Sequence, residues 1–224
     1  MNVYVCFYTN ENYRYIENHL IEHYEKKGFT VLPYRSENVK IGDFYIDNKE
    51  ILDCERGDGY WLWKPKIIID LFNKIKNDDV IIYIDAGDIF HSDNIKVKEF
   101  FNENDYYFYT CIDRPQNKQY TKRDCFILMG CDEEKYYNYP QIEAGIIMLK
   151  KTEGNINLVN EWFHYAKDYR VITDSTNECG LLNFPEFVDH RHDQSILSNL
   201  FIKYNKQPSD FFKGMVNFNS YGKK

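Results

Sequence analysis

The seven residues 79–85, "DVIIYID", set the strongest limit on how this chain folds. Successive side chains of a strand point to opposite faces, and here Val80, Ile81, Ile82, Tyr83 and Ile84 leave neither face polar. Such a strand has to be covered on both sides, as in a mostly parallel central sheet flanked by helices. The preceding segments fit that picture. Residues 2–9, "NVYVCFYT", are β-branched and aromatic and predict a strand. From Asn10, a favoured N-cap, the next stretch sets Tyr13, Ile16, Leu20 and Tyr24 at helical spacing and stops at Gly28. Residues 29–35, "FTVLPYR", predict a second strand, and the polar stretch 36–58 predicts mainly loop. In "GDGYWLWKPKIIIDLFNKI", 57–75, Pro65 suits a first helical turn, and Ile68, Leu71, Phe72 and Ile75 make one apolar face. Strand, helix, strand, helix, strand in this order predicts an α/β sheet.

Farther along, 106–112 and 143–150 predict strands, and "TKRDCFILMG" between them opens on a Thr121/Asp124 capping-box pattern. Amphipathic helices are expected around 158–167 and from about 193 to 204, the latter with Ile196, Leu197, Leu200 and Phe201 inward. No internal repeat or low-complexity linker divides the 224 residues, so one domain over residues 1–224 is expected.

A net charge of -7 and a pI of about 5.4 argue against a surface built to neutralise a phosphate backbone, and no nucleic-acid partner is expected. A local basic pocket for one phosphate ligand stays compatible with that balance. No apolar run reaches the roughly 18 residues that a membrane-spanning helix needs, so no transmembrane segment is expected. The first residues lack the charged region and small-residue cleavage site of a secretory signal, which gives a cytoplasmic location as the expectation. The six cysteines include no C-x-x-C pair and predict buried thiols rather than a zinc site or a disulfide framework.

The buried strand ends in "YIDAGD", with Asp85 and Asp88 around Gly87. In open α/β sheets ligands bind outside the carboxyl ends of the strands. Two readings of the acids follow. They cap the next turn and helix, with Gly87 supplying the bend. Or they hold a hard divalent cation, Mn²⁺ or Mg²⁺, that bridges the phosphates of a nucleotide and needs only one or two carboxylates from the protein.

"GYWLWKPKIII" followed by "YIDAGD" resembles the metal-binding segment of GT-A type nucleotide-sugar glycosyltransferases, in which an Asp-x-Asp motif follows an apolar strand. "IEAGIIMLK", 142–150, is similar to their acceptor-side strand, and "HRHDQSILSNL", 190–200, to a later Asp-Gln segment. The ordered set over residues 57–200 looks most like a small glycosyltransferase-like family of bacterial polysaccharide loci and large DNA viruses. The resemblance implies a GT-A, Rossmann-like fold and a bacterial or virus-infected host cytoplasm. It also implies a nucleotide diphosphate sugar as donor and a hydroxyl acceptor on a glycan, polysaccharide or glycoprotein. Gly87 stands where the motif has its second acid, so Asp85 matches the first metal ligand and Asp88 is displaced by one residue.

Further candidates stand beside plainer readings. Lys64, at the start of the helix before the acidic strand, is expected to contact the nucleotide or its diphosphate, as a basic residue there does in the families resembled; otherwise it is a solvated lysine. Trp61 and Trp63 wall the pocket or belong to the core. Thr9 and Tyr8 end the first strand, where such folds hold base and ribose. Glu143, in place of the usual Asn, is an acid in apolar surroundings that contacts the acceptor hydroxyl or donor sugar, or faces solvent. Asp193 and Gln194 open the last long helix, where Asp is an excellent N-cap. The adjoining Asp189, His190, Arg191 and His192 add a cation, imidazoles and acid, and favour a functional Asp193. Lys122 and Arg123 reach an anionic donor or acceptor, as a basic residue of the middle segment often does in the families resembled, or, the favoured reading, form a solvated helix face.

The expected chemistry is glycosyl transfer. A metal at Asp85 and Asp88, with Lys64, offsets charge on the departing diphosphate, while Asp193 or Glu143 orients the acceptor or acts as general base, and Thr9 and Gln194 help bind the donor. One alternative is a domain that binds a nucleotide sugar or glycan without turnover. A sugar nucleotidyltransferase is disfavoured because "YTNENYRY" lacks the expected Gly-rich basic loop.

Overall fold

The computed structural model describes residues 1–111 and 113–221. Its strands are β1 (Val3–Thr9), β2 (Thr30–Arg35), β3 (Val80–Ile84), β4 (Ile89–Phe90), β5 (Tyr106–Tyr107), β6 (Ile146–Lys150) and β7 (Val216–Asn217). The main helices are α1 (Glu17–Glu25), α2 (Trp63–Lys74), α3 (Asn94–Phe101), α4 (Arg123–Leu128), α5 (Glu153–Ala166) and α6 (His192–Lys203). The central sheet has the order β2-β1-β3-β6-β5, and β4 pairs with β7 in a separate ribbon. β1 runs parallel to β2 and β3, whereas β6 is antiparallel to both β3 and β5. All strands of the central sheet except β6 therefore share one direction, as the doubly apolar β3 predicts.

The period of two decides which helix each residue meets. Val3, Val5 and Phe7 of β1, with Val80, Ile82 and Ile84 of β3, pack against Leu20 and Tyr24 of α1 and Val97 and Phe101 of α3. Cys6 and Tyr8, with Ile81 and Tyr83, face the opposite layer, built from α2, α5 and α6 through Ile68, Leu71, Trp162, Leu197 and Phe201. Burying each such side chain contributes about 1.5–3 kcal/mol, so a one-residue slip of β3, which exchanges its two faces, is strongly disfavoured.

Several elements differ from the sequence expectation. The stretch 36–58 holds short helices at Ser36–Val39, Gly42–Asp47 and Lys49–Leu52, because Val39, Ile51 and Leu52 find the core within segments too short to show a period. The first helix begins only at Glu17, after a turn in which Tyr13 donates its amide to Asn10 O, and this frees Tyr13 for the pocket described below. The strand expected over 106–112 pairs only at Tyr106–Tyr107, with one further bridge between Thr110 and Ile142; Ile112 lies outside the described residues. β6 starts at Ile146, three residues late, and α5 starts at Glu153, where the Thr152 hydroxyl accepts from the Asn155 amide.

The capping box at α4 does not form. Thr121 donates instead to Asn117 Oδ1 at 2.7 Å, and Asp124 accepts from the amides of Glu178 and Cys179. Lys122 and Arg123 are buried rather than solvated: the first donates to Ser175 O at 2.6 Å, and the second pairs with Asp132 at 2.6 Å. Cys6, Cys111, Cys125 and Cys131 are buried as expected, while Cys54 and Cys179 are half-buried. Among the described residues no helix is long and apolar enough to cross a membrane.

Candidate active site

β1 and β3 lie side by side and parallel, so their carboxyl ends meet at one pole of the sheet. A pocket of about 480 Å³ opens there, a size suited to a small organic ligand. One wall is an unusual backbone. Gly57, Asp58, Gly59, Tyr60 and Trp61 all have positive φ, between 51° and 98°. The left-handed conformation costs each non-glycine residue roughly 1–2 kcal/mol. Glycine is required at two of the positions: a Cβ on Gly57 would lie 2.2 Å from the Trp61 ring, and one on Gly59 would lie 2.8 Å from Leu52 Cα. Asp58 holds the turn by accepting from the Tyr8 hydroxyl, Ser36 and Lys40. Tyr8 in turn stacks on Trp63 with centroids 3.7 Å apart. Trp63 is a core residue that also borders the pocket, and Trp61 is half-buried at its edge.

The acids gather on the facing side. Asp85 ends β3, and its amide donates to Gly145 O at 2.8 Å, which brings the loop before β6 against it. Asp85, Asp88 and Glu143 all line the pocket. A Cβ on Gly145 would lie 2.8 Å from Asp88 Oδ2, 3.2 Å from Glu143 Oε1 and 3.5 Å from Asp85 Oδ2, so three carboxylate oxygens gather beside a glycine that leaves them room. Burial, then the charges of Asp85 and Glu143, push the Asp88 carboxyl up to about 7, although the Asn219 amide donates to it at 2.8 Å. The acids do not cap the following helix; that is done by Asp93, which accepts from the Lys96 amide.

Lys64 supports these acids from behind. It is 2% exposed, and its ammonium lies 3.3 Å from Asp85 Oδ1, 3.0 Å from Asp193 Oδ2 and 3.0 Å from Ala144 O. Burial alone would pull its pKa down, but the charges of Asp193 and Asp85 reverse the effect and keep it protonated. It is not a solvated lysine. Asp193 is itself buried, and burial raises its carboxyl to about 6 against the pull of Lys64. Tyr83 completes the support by donating to Asp85 Oδ1.

Lys64 and Asp193 stand behind the pocket lining, and the remaining candidates lie outside it as well. Thr9 is buried and donates to Glu17, which also pairs with Arg35. Gln194 accepts from the Ala144 amide and donates to Gln141 Oε1 at 2.9 Å, tying the start of α6 to the loop of Glu143. His190 Nε2 donates to Val171 O at 2.9 Å while its Nδ1 accepts from the Lys122 amide at 3.3 Å; that neutral tautomer is fully used. His192 meets Ile172 O at 2.7 Å and stacks on Trp61. Both imidazoles hold the backbone of 171–172.

Sequence reasoning did not give a pocket role to Tyr13, Asp58 or the segment around Phe218 and Asn219, and it took Arg191 only as one of a cluster placed to meet sugar hydroxyls and phosphate; all of them line the pocket. Asp58 had a signal, since it stands between two glycines at the head of the recognised segment. Asn219 had none, because its contact with Asp88 joins residues 131 positions apart.

Among the described residues no group of three or more His, Cys, Asp or Glu is arranged to hold a metal ion by itself. The oxygens beside Gly145 fit a hard cation that takes one or two carboxylates from the protein and completes its shell with phosphate and water oxygens. Asp85 and Asp88, with Glu143 adjacent, are the residues that would hold it.

No family model matches the sequence, and no curated protein matches it. Among solved structures the chain is similar to the bifunctional glycosyltransferase WbbM, with 13% identity and a TM-score of 0.48, covering 89% of this chain and 37% of that one. It is similar to mouse xyloside xylosyltransferase 1 at 11% identity and a TM-score of 0.46, covering 92% of this chain and 71% of that one. A third is a glycosyltransferase involved in glycosylation of the major capsid of PBCV-1, at 9% identity and a TM-score of 0.43, covering 100% of this chain and 96% of that one. The chain spans just over a third of WbbM's length. With TM-scores below 0.5, none of these likenesses bears on what the chain does.

Proposed function

We propose that this chain is a single-domain glycosyltransferase that moves a sugar from a nucleotide diphosphate sugar to a hydroxyl of a glycan acceptor, with a divalent cation, Mn²⁺ or Mg²⁺, at Asp85 and Asp88. The observation that carries the reading is the convergence of the Asp85, Asp88 and Glu143 oxygens on the space beside Gly145, at the carboxyl end of the buried strand. Carboxylates crowded in this way repel an anionic ligand unless a cation comes with it, and a metal-bound diphosphate meets that requirement. When bound, the cation would supply charge to offset what builds on the departing diphosphate.

The chain's own residues do the rest. Lys64 and Tyr83 fix Asp85 from the core side, and Lys64 fixes Asp193 with the same ammonium. These are positioning roles, and Thr9 and Gln194 share them, since their polar groups are spent on Glu17, Ala144 and Gln141. Glu143 faces the pocket and is the acid placed to orient an acceptor hydroxyl or take its proton. Tyr8 and Trp61 offer aromatic surface to a base or sugar.

The test is calorimetric titration of UDP and GDP, with and without Mn²⁺, into wild type and Asp85→Ala. Binding that requires Mn²⁺ and falls by at least about tenfold in the variant, roughly 1.4 kcal/mol, is the expected result. Binding of neither nucleotide under any condition overturns the proposal and leaves a glycan-binding domain without turnover as the reading to pursue.

A further inference from the structure

Arg191 is the cationic side chain that lines the pocket among the described residues, and it has not been given to an acid. Asp58, Asp85, Asp88 and Glu143 border the same space, yet Arg191 forms no ion pair among the described residues. Its guanidinium carbon sits 3.9 Å from the centroid of the Tyr120 ring, which sets the plane of the group. Its backbone is fastened as well: the amide donates to Tyr120 O at 3.0 Å and Ser195 Oγ at 3.2 Å. Of its N–H donors, Nη1 makes one long contact, 3.9 Å to Cys111 Sγ. A guanidinium carries five N–H groups in a rigid fork, so most of this one's capacity is unspent. The next residues secure the neighbourhood, with Gln194 Nε2 donating to the same sulfur at 3.4 Å. Cys111 touches Arg191 on one side and Glu143 on the other.

We infer that Arg191 is an anion-binding residue of this pocket, which grips an oxyanion group of the ligand, phosphate or carboxylate, beyond the oxygens that Asp85 and Asp88 hold through their cation. The inference rests on the nucleotide-sugar reading above. The shared chemistry has two sources in such a donor: the diphosphate, or the carboxylate of an acidic sugar. A stacked guanidinium with its edge free takes two oxygens in a plane, which a lysine's point charge does not reproduce.

The experiment titrates inorganic pyrophosphate, UDP, UDP-glucose and UDP-glucuronate in Mn²⁺ into wild type, Arg191→Gln and Arg191→Lys. Arg191→Gln is expected to weaken the ligand whose oxyanion it holds by roughly 10- to 100-fold, and Arg191→Lys to recover only part of that. An equal loss for all four ligands assigns the phosphate. A loss confined to UDP-glucuronate assigns the sugar carboxylate. Wild-type binding of pyrophosphate, weakened in Arg191→Gln, with no nucleotide binding keeps the anion site and removes the nucleotide-sugar reading. Arg191→Gln binding every ligand within about twofold of wild type overturns the inference, as does a wild type that binds none of them.

Discussion

Gly145 shows how a single missing atom decides what a site can hold. Its backbone lies outside the left-handed region, so alanine is sterically tolerable to the main chain, but the added Cβ would crowd Asp88 Oδ2 and Glu143 Oε1 and displace the carboxylates from each other. Gly145→Ala is expected to lower Mn²⁺-dependent nucleotide binding by at least about tenfold while leaving the melting temperature nearly unchanged. Binding within about twofold of wild type would show that the cation sits elsewhere. Asp85 and Glu143 were legible from the sequence because a polar residue at the end of an apolar strand has few structural duties. The depth of Lys64 was not legible. Nothing in "WKP" reveals that two acids, one of them 129 positions later by number at Asp193, would meet its ammonium in the core. Arg191 was visible only as part of a charged cluster, since a sequence gives no sign of which cation lacks a partner.

At the scale of elements, His190 clamps the loop before α6 to residues around Val171. Burial, with the neighbouring His192, holds its pKa well below the usual value, because a proton on Nδ1 would face the Lys122 amide instead of accepting from it. Unfolded, the imidazole takes a proton near pH 6.5 and folded it does not, so its contribution is present above that pH and lost as pH falls below it. Asp88 and Asp193, whose carboxyls are raised by burial, act in the opposite sense, so the histidine is read as a difference between proteins. Urea unfolding at pH 7.5 and 5.5 is expected to show wild type losing more stability than His190→Gln, by up to about 1.4 kcal/mol per pH unit. Equal slopes would mean the imidazole titrates normally in the fold. The central strands and long helices were legible at this scale because their periods run for several turns. The helices within 36–58 and the false capping box at Thr121 were not, since tertiary partners such as Asn117 and Glu178 decided them.

At the scale of the whole molecule, the segment after α6 returns to the far layer of the sheet. Phe212 is fully buried among Phe90, Phe100 and Tyr107, and from there the chain pairs β7 with β4 and reaches the pocket, where the Tyr221 amide donates to Gly87 O. Phe212→Ala is expected to cost about 3–5 kcal/mol in urea unfolding, as for any large core aromatic. A loss under about 1 kcal/mol would show that the segment is an appendage rather than part of the core. The direction of β1 has a practical consequence for anyone who handles the protein. Val3 enters the sheet at the pole opposite the pocket, whereas Asn219 and Tyr221 touch Asp88 and Gly87 at the pocket itself. A fluorophore attached beside Val3 therefore stands clear of the ligand, and one attached beside Asn219 reads the pocket directly.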